Sequence, residues 1–106
     1  MSRRRLVFSP EAVEQLAAPY AYIAAAATPL TAGRYIEAII GYCESLAFFP
    51  CRGTTRDDIR AGLRITNYKK RTVIAFATDG DQLSIIGVFY GGRKYEALLS
   101  DDPEDD

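Results

Sequence analysis

No histidine occurs anywhere in the 106 residues, and cysteine occurs only twice. Each shortage removes a class of chemistry. Without an imidazole, the side chain that titrates nearest neutrality is missing, so a general base would have to be recruited from another residue type. Cys43 and Cys51 stand eight apart with no histidine to join them, which makes a poor metal site. Buried thiols are their ordinary role, and neither a metal nor another cofactor is expected. No apolar run approaches the roughly 18 residues that a membrane span needs, and no signal-peptide pattern follows Met1-Ser2-Arg3-Arg4-Arg5. A cytoplasmic protein with no membrane partner is the expectation.

What is present suffices for a core. The chain is 48% hydrophobic and 11% aromatic, enough for one compact domain over residues 1–100. Its net charge of −1 hides an asymmetry, because five of the 14 acidic residues lie in 101–106. Residues 1–100 hold 13 basic and nine acidic side chains and carry +4. A short run of like charges cannot bury enough apolar surface to fold by itself, so 101–106 reads as a solvated acidic tail.

Leu6-Val7-Phe8 reads as a short strand, and Ser9-Pro10-Glu11 as a helix start in which Ser9 caps and Pro10 takes the first helical position. Val13, Leu16, Ala17, Tyr20, Ile23, Ala24 and Ala27 follow at helical spacing and predict one buried face. Pro19 lacks an amide hydrogen and crowds the carbonyl of Gln15, so a kink or break is expected there. Thr31 is read as the cap of a second helix with an apolar stripe of Ala32, Tyr35, Ile36, Ile39, Ile40, Cys43, Leu46 and Ala47. Together they predict a helical hairpin that needs a sheet to cover.

Leu63–Thr66, Thr72–Thr78 and Gln82–Tyr90 read as strands, with Asp79-Gly80 as a hairpin turn, which gives an antiparallel meander. Val73, Ala75 and Ala77 oppose Ile74 and Phe76, and Leu83, Ile85 and Phe89 oppose Ile86, Val88 and Tyr90. Two apolar faces imply that both are covered. The hairpin covers one. A short C-terminal helix carrying Tyr95, Leu98 and Leu99 covers part of the other, or a partner chain does. The fold class is therefore α+β: N-terminal strand, helical hairpin on a small antiparallel sheet with a C-terminal three-stranded meander, and a short C-terminal helix.

That order of elements, together with Phe8-Ser9-Pro10-Glu11-Ala12, Cys43-Glu44-Ser45-Leu46-Ala47-Phe48-Phe49-Pro50, the segment from Arg56 to Arg64, and Val88 to Glu96, resembles the RelE/ParE superfamily of type II toxins, the ParE branch in particular. The resemblance spans residues 6–99. It implies a bacterial toxin neutralised by a cognate antitoxin whose extended and helical parts dock on the sheet and hairpin.

Two modes of action then divide the superfamily. RelE-like members cut messenger RNA on the ribosome, which requires a base, an acid and cations for the developing charge. Cations are present in Arg64, Lys69, Lys70, Arg71, Arg93 and Lys94, but Leu99-Ser100 stands where RelE-like chains carry a tyrosine. Tyr90 or Tyr95, with an ordinary pKa of about 10, would have to be activated by those cations. ParE-like members lack the catalytic set, and the resemblance implies that they poison DNA gyrase or a related topoisomerase by binding, with nucleic acid reached only through that enzyme. A binding-only, inactive relative is the third reading. The gyrase reading is the expectation, with no catalytic residue assigned.

For the target contact, the candidates are Tyr90, Gly91, Gly92, Arg93, Lys94 and Tyr95, where paired glycines allow close approach and aromatic and cationic side chains make interface hot spots. Arg64 joins them, with pairing to Asp57 or Asp58 as its structural alternative. Ile74, Phe76, Ile86 and Val88 are the candidates for antitoxin contact, with burial in the core as theirs. Lys69-Lys70-Arg71 reads as a solvated hairpin turn.

Overall fold

The computed structural model describes residues 3–91 together with Tyr95 and Leu99. Strand β1 (Arg5–Phe8) leads into helices α1 (Pro10–Gln15), α2 (Ala17–Ala26) and α3 (Pro29–Phe48), then strands β2 (Thr54–Thr55), β3 (Arg64–Tyr68), β4 (Thr72–Asp79) and β5 (Gln82–Tyr90). The sheet order is β1-β5-β4-β3-β2. The meander β3-β4-β5 is antiparallel as expected, while β1 adds to β5 in parallel, a pairing the long helical crossover makes possible. Thr54–Thr55, not anticipated, extends the edge by pairing with Ile65 and Arg64.

Ser9 caps α1 as its sequence position requires, its hydroxyl accepting from the Ala12 amide at 3.0 Å. The break falls at Leu16, so that Pro19 occupies the first turn of α2, where its missing amide leaves no helical bond unmade. The second cap lies three residues earlier than the sequence predicts. Thr28, not Thr31, caps α3, with its hydroxyl accepting from the Thr31 amide and Pro29 at the first helical position. The same Ser/Thr-Pro signal thus starts both helices.

The first core lies between α3 and the sheet. Ile39, Cys43 and Leu46 of α3 meet Ile74 and Phe76 of β4 and Leu83, Ile85 and Val88 of β5. Each fully buried Ile, Leu or Phe contributes about 2 kcal/mol through the apolar surface it removes from water. On the opposite face, Leu63, Ile65, Ala75, Phe89 and Leu99 form a second cluster, with Ile59 and Tyr95 packed against it. The chain itself therefore covers both faces. Tyr95 and Leu99 have helical backbone and cover the second face, while Leu98 and the acidic tail lie outside the described residues.

One irregularity redirects β5. Ala75 pairs with Gly87 and Phe76 with Ile85, which leaves Ile86 as an extra residue, a β-bulge. Strict alternation had grouped Phe89 with Leu83 and Ile85. The bulge instead sends Val88 to the helix side with those two, and places Ile86 and Phe89 on the other face. Gly87 is required there, because a Cβ would stand 2.5 Å from the Phe89 ring.

Candidate functional site

Three surfaces hold the residues with functional potential. At one end of the sheet, Tyr68 and Thr72 close the β3–β4 hairpin, and Thr72 pairs with Tyr90. Gly91 continues from there, and its amide donates to the Arg71 carbonyl at 2.9 Å. Tyr90 lies 6.0 Å from both Tyr22 and Tyr35, and Tyr35 lies 5.9 Å from Tyr68, so the tyrosines of helices and strands form one aromatic cluster. Tyr35 and Tyr42 spend their hydroxyls on Thr72 and Thr66 at 2.9 and 3.0 Å. Of the expected target-contacting residues, Tyr90 and Gly91 are at this end, and Gly92, Arg93 and Lys94 lie outside the described residues.

Tyr95 is placed differently. Its ring packs 6.2 Å from Phe89 on the second face, and its hydroxyl accepts from the Arg56 guanidinium at 3.2 Å. The same guanidinium donates twice to Asp58 at 3.0 Å, which holds the Asp58 carboxyl below its ordinary pKa and pushes Arg56 up. Asp57 accepts from the Gly62 amide at 2.8 Å. The loop from Arg56 to Leu63 is thus a self-paired lid over the second face.

Arg64 separates from the other candidates. It pairs in register with Phe76, four residues along β4 from Thr72, a distance of about 13 Å along the strand. Its guanidinium donates to the Cys51 carbonyl at 2.9 Å and the Arg52 carbonyl at 3.3 Å. The expected pairing with Asp57 or Asp58 is not made, because those carboxylates are taken by Gly62 and Arg56. Arg64 anchors the segment after α3.

Three of the four residues read as antitoxin contacts take the alternative of burial in the core. Ile74, Phe76 and Val88 are 0%, 0% and 1% exposed and belong to the core beneath α3, so no partner reaches them in this fold. Ile86 is half-buried on the other face. It lines, with Ser9, Glu11, Gln15, Arg60 and Phe89, a cavity of about 540 Å³ that Leu99 also borders. The cavity opens beside the bulge, which the chain fixes from α1: the Ser9 hydroxyl donates to the Ile86 carbonyl at 3.0 Å, and Gln15 Oε1 accepts from the Val88 amide at 2.7 Å.

Exposed apolar side chains lie elsewhere, on the helical hairpin. Val13, Tyr20, Tyr22, Leu30 and Phe48 are 42–66% exposed, as is Phe49 just past α3. The sequence of α2, Ala-Ala-Pro-Tyr-Ala-Tyr-Ile-Ala-Ala-Ala, is apolar on every side, whereas one side suffices to pack on α3. That all-round character is the signal that a single-stripe reading overlooked.

A mixed five-stranded sheet with a helical hairpin on one face defines a small α+β fold. The family model described as the ParE toxin of the type II toxin-antitoxin system, parDE, matches residues 6–95, and the chain belongs to that family. Among solved structures, the chromosomal ParDE toxin-antitoxin system from P. aeruginosa superposes with a TM-score of 0.72 at 18% identity, covering 84% of this chain and 97% of that one. The RelBE2 toxin-antitoxin complex from Mycobacterium tuberculosis gives 0.62 at 14% identity, with 84% and 99% covered. These likenesses fix the fold. No curated protein matches the chain by sequence.

Proposed function

We propose that this toxin acts by binding and not by catalysis, that its target is DNA gyrase or a related topoisomerase, and that a cognate antitoxin neutralises it by covering the apolar helical hairpin. The observation that carries the reading is the dispersal of the groups a nuclease would gather. Arg64 is committed to two carbonyls, Lys69 to Arg71 stand at the other end of the sheet, and Tyr35 and Tyr42 are hydrogen-bonded to threonines. No histidine exists to serve as base. A ribonuclease needs base, acid and cations within about 3 Å of one phosphate, and among the described residues Arg64 stands about 13 Å along the sheet from the Lys69–Arg71 end.

Partner binding is supported by the hairpin. Five large apolar side chains left in water on the helices cost the free protein solubility and offer a helical or extended segment its anchors. The ParDE and RelBE2 neighbours are both toxin-antitoxin systems, which agrees with a cognate antitoxin here.

The test runs two assays on one preparation freed of any partner: supercoiling and DNA cleavage by purified gyrase, and ribosome-dependent cleavage of messenger RNA. Trapped cleaved DNA with intact RNA is the expected result. RNA cut at the ribosome with gyrase unaffected would overturn the reading in favour of the nuclease branch.

A further inference from the structure

The β3–β4 turn is built from residues its backbone does not favour. Lys69 and Lys70 have φ of 53° and 64°, and the Arg71 amide closes the turn on the Tyr68 carbonyl at 3.2 Å. Positive φ at both central positions is the pattern for which Asn-Gly is preferred, and two long side chains there carry backbone strain. The fold gains little in return. Both lysines are exposed, and neither forms an ion pair with a described carboxylate. Lys69 only rests its ammonium 5.6 Å over the Tyr68 ring, which holds that charge at the tip.

Charge along the sheet is sorted in the same sense. No acidic residue occurs between Asp58 and Asp79, and Asp79 and Asp81 flank the β4–β5 turn at the opposite end. Lys69, Lys70 and Arg71, all exposed, therefore stand together at an end without carboxylates of its own strands. Beside them Tyr22, 60% exposed, stands 6.0 Å from Tyr90, the strand partner of Thr72.

We infer that this end of the sheet is a contact for the phosphate backbone of a nucleic acid, with Lys69, Lys70 and Arg71 neutralising successive phosphates and Tyr22 offering a ring on which an unpaired base stacks. Cations in series beside an exposed aromatic ring are the elements of single-strand binding. The inference goes beyond the function proposed above, in which nucleic acid is reached through the topoisomerase, and it stands or falls without that enzyme.

The strain itself supplies a clean variant. Lys69→Asn with Lys70→Gly gives the turn its preferred pair and removes two charges, so any loss of binding comes with an equal or higher Tm and cannot be laid to unfolding. Fluorescence anisotropy of the full chain with a DNA strand of about 20 nucleotides, and with its duplex, would be followed between about 20 and 200 mM salt. Expected are salt-sensitive binding by the parent chain, stronger for the single strand, and at least about a tenfold loss in the double variant at low salt with a log–log salt slope shallower by about 1. Lys69→Arg with Lys70→Arg should retain binding, and Tyr22→Ser should weaken the single strand while sparing the duplex. Equal binding by the Asn-Gly variant, or no binding by the parent chain at low salt, would overturn the inference. So would competition by polyglutamate as strong as by DNA at equal charge, which would assign the turn to an acidic protein.

Discussion

Cys43 and Cys51 differ only in surroundings, and that difference decides their chemistry. Cys43 lies in the core between α3 and the sheet, where loss of hydration and the neighbouring Glu44 push its thiol up to about 12. Cys51 is exposed after α3. Only a thiolate attacks a disulfide reagent, so one thiol equivalent should react in the native protein at pH 8 and two in denaturant, as an Ellman titration would count. The raised value also fixes a pH dependence. A native state that keeps its proton while the unfolded chain loses it is destabilised as pH climbs from about 9 toward 12. Replacing Cys43 with Ala should flatten that alkaline decline in a urea-melt series, although the smaller side chain lowers stability at neutral pH by about 1–2 kcal/mol. Two active thiols in the native protein would refute the burial argument.

At the scale of elements, the bulge in β5 explains most of what the sequence concealed. Both helix starts carry readable caps, Pro19 announces the break at Leu16, and the meander follows from alternation with an Asp79-Gly80 turn. Alternation has no means of marking an inserted residue, so one extra position at Ile86 reversed the faces of Val88 and Phe89. Thr54–Thr55 escaped for another reason: two residues are too short for any periodicity. The bulge also depends on a side chain from a distant element. Gln15 Oε1 is the acceptor for the Val88 amide at 2.7 Å, in a strand where β4 cannot serve every donor. Gln15→Ala would leave that part-buried amide without its partner and should cost about 1–3 kcal/mol. Gln15→Glu, which keeps an acceptor, should recover most of the loss in the same thermal melt. Equal stability of parent and Gln15→Ala chains would mean that water replaces the contact.

For the molecule as a whole, the helical hairpin and the sheet divide the apolar residues into those that make the fold and those left in water. The family was legible because cap signals, the hairpin and the meander occur in a fixed order over residues 6–95. The contact residues were not, because an apolar residue on a strand reads alike whether a helix or a partner covers it, and only the packed structure assigns Ile74, Phe76 and Val88 to the interior. That division is testable by contrast. Tyr20→Ser and Leu30→Ser, at positions 42% and 66% exposed, should each move Tm by no more than about 4 °C while reducing affinity for the cognate antitoxin by about tenfold, as calorimetric titration would measure. Ile74→Ser, by burying a hydroxyl where Phe76 and Val88 surround a fully enclosed side chain, should cost about 3–4 kcal/mol. Its antitoxin affinity, measured on whatever fraction remains folded, should stay near that of the parent. If Ile74→Ser instead lost antitoxin binding at unchanged stability, the sheet interior would be the docking face and α3 would have to move aside to expose it.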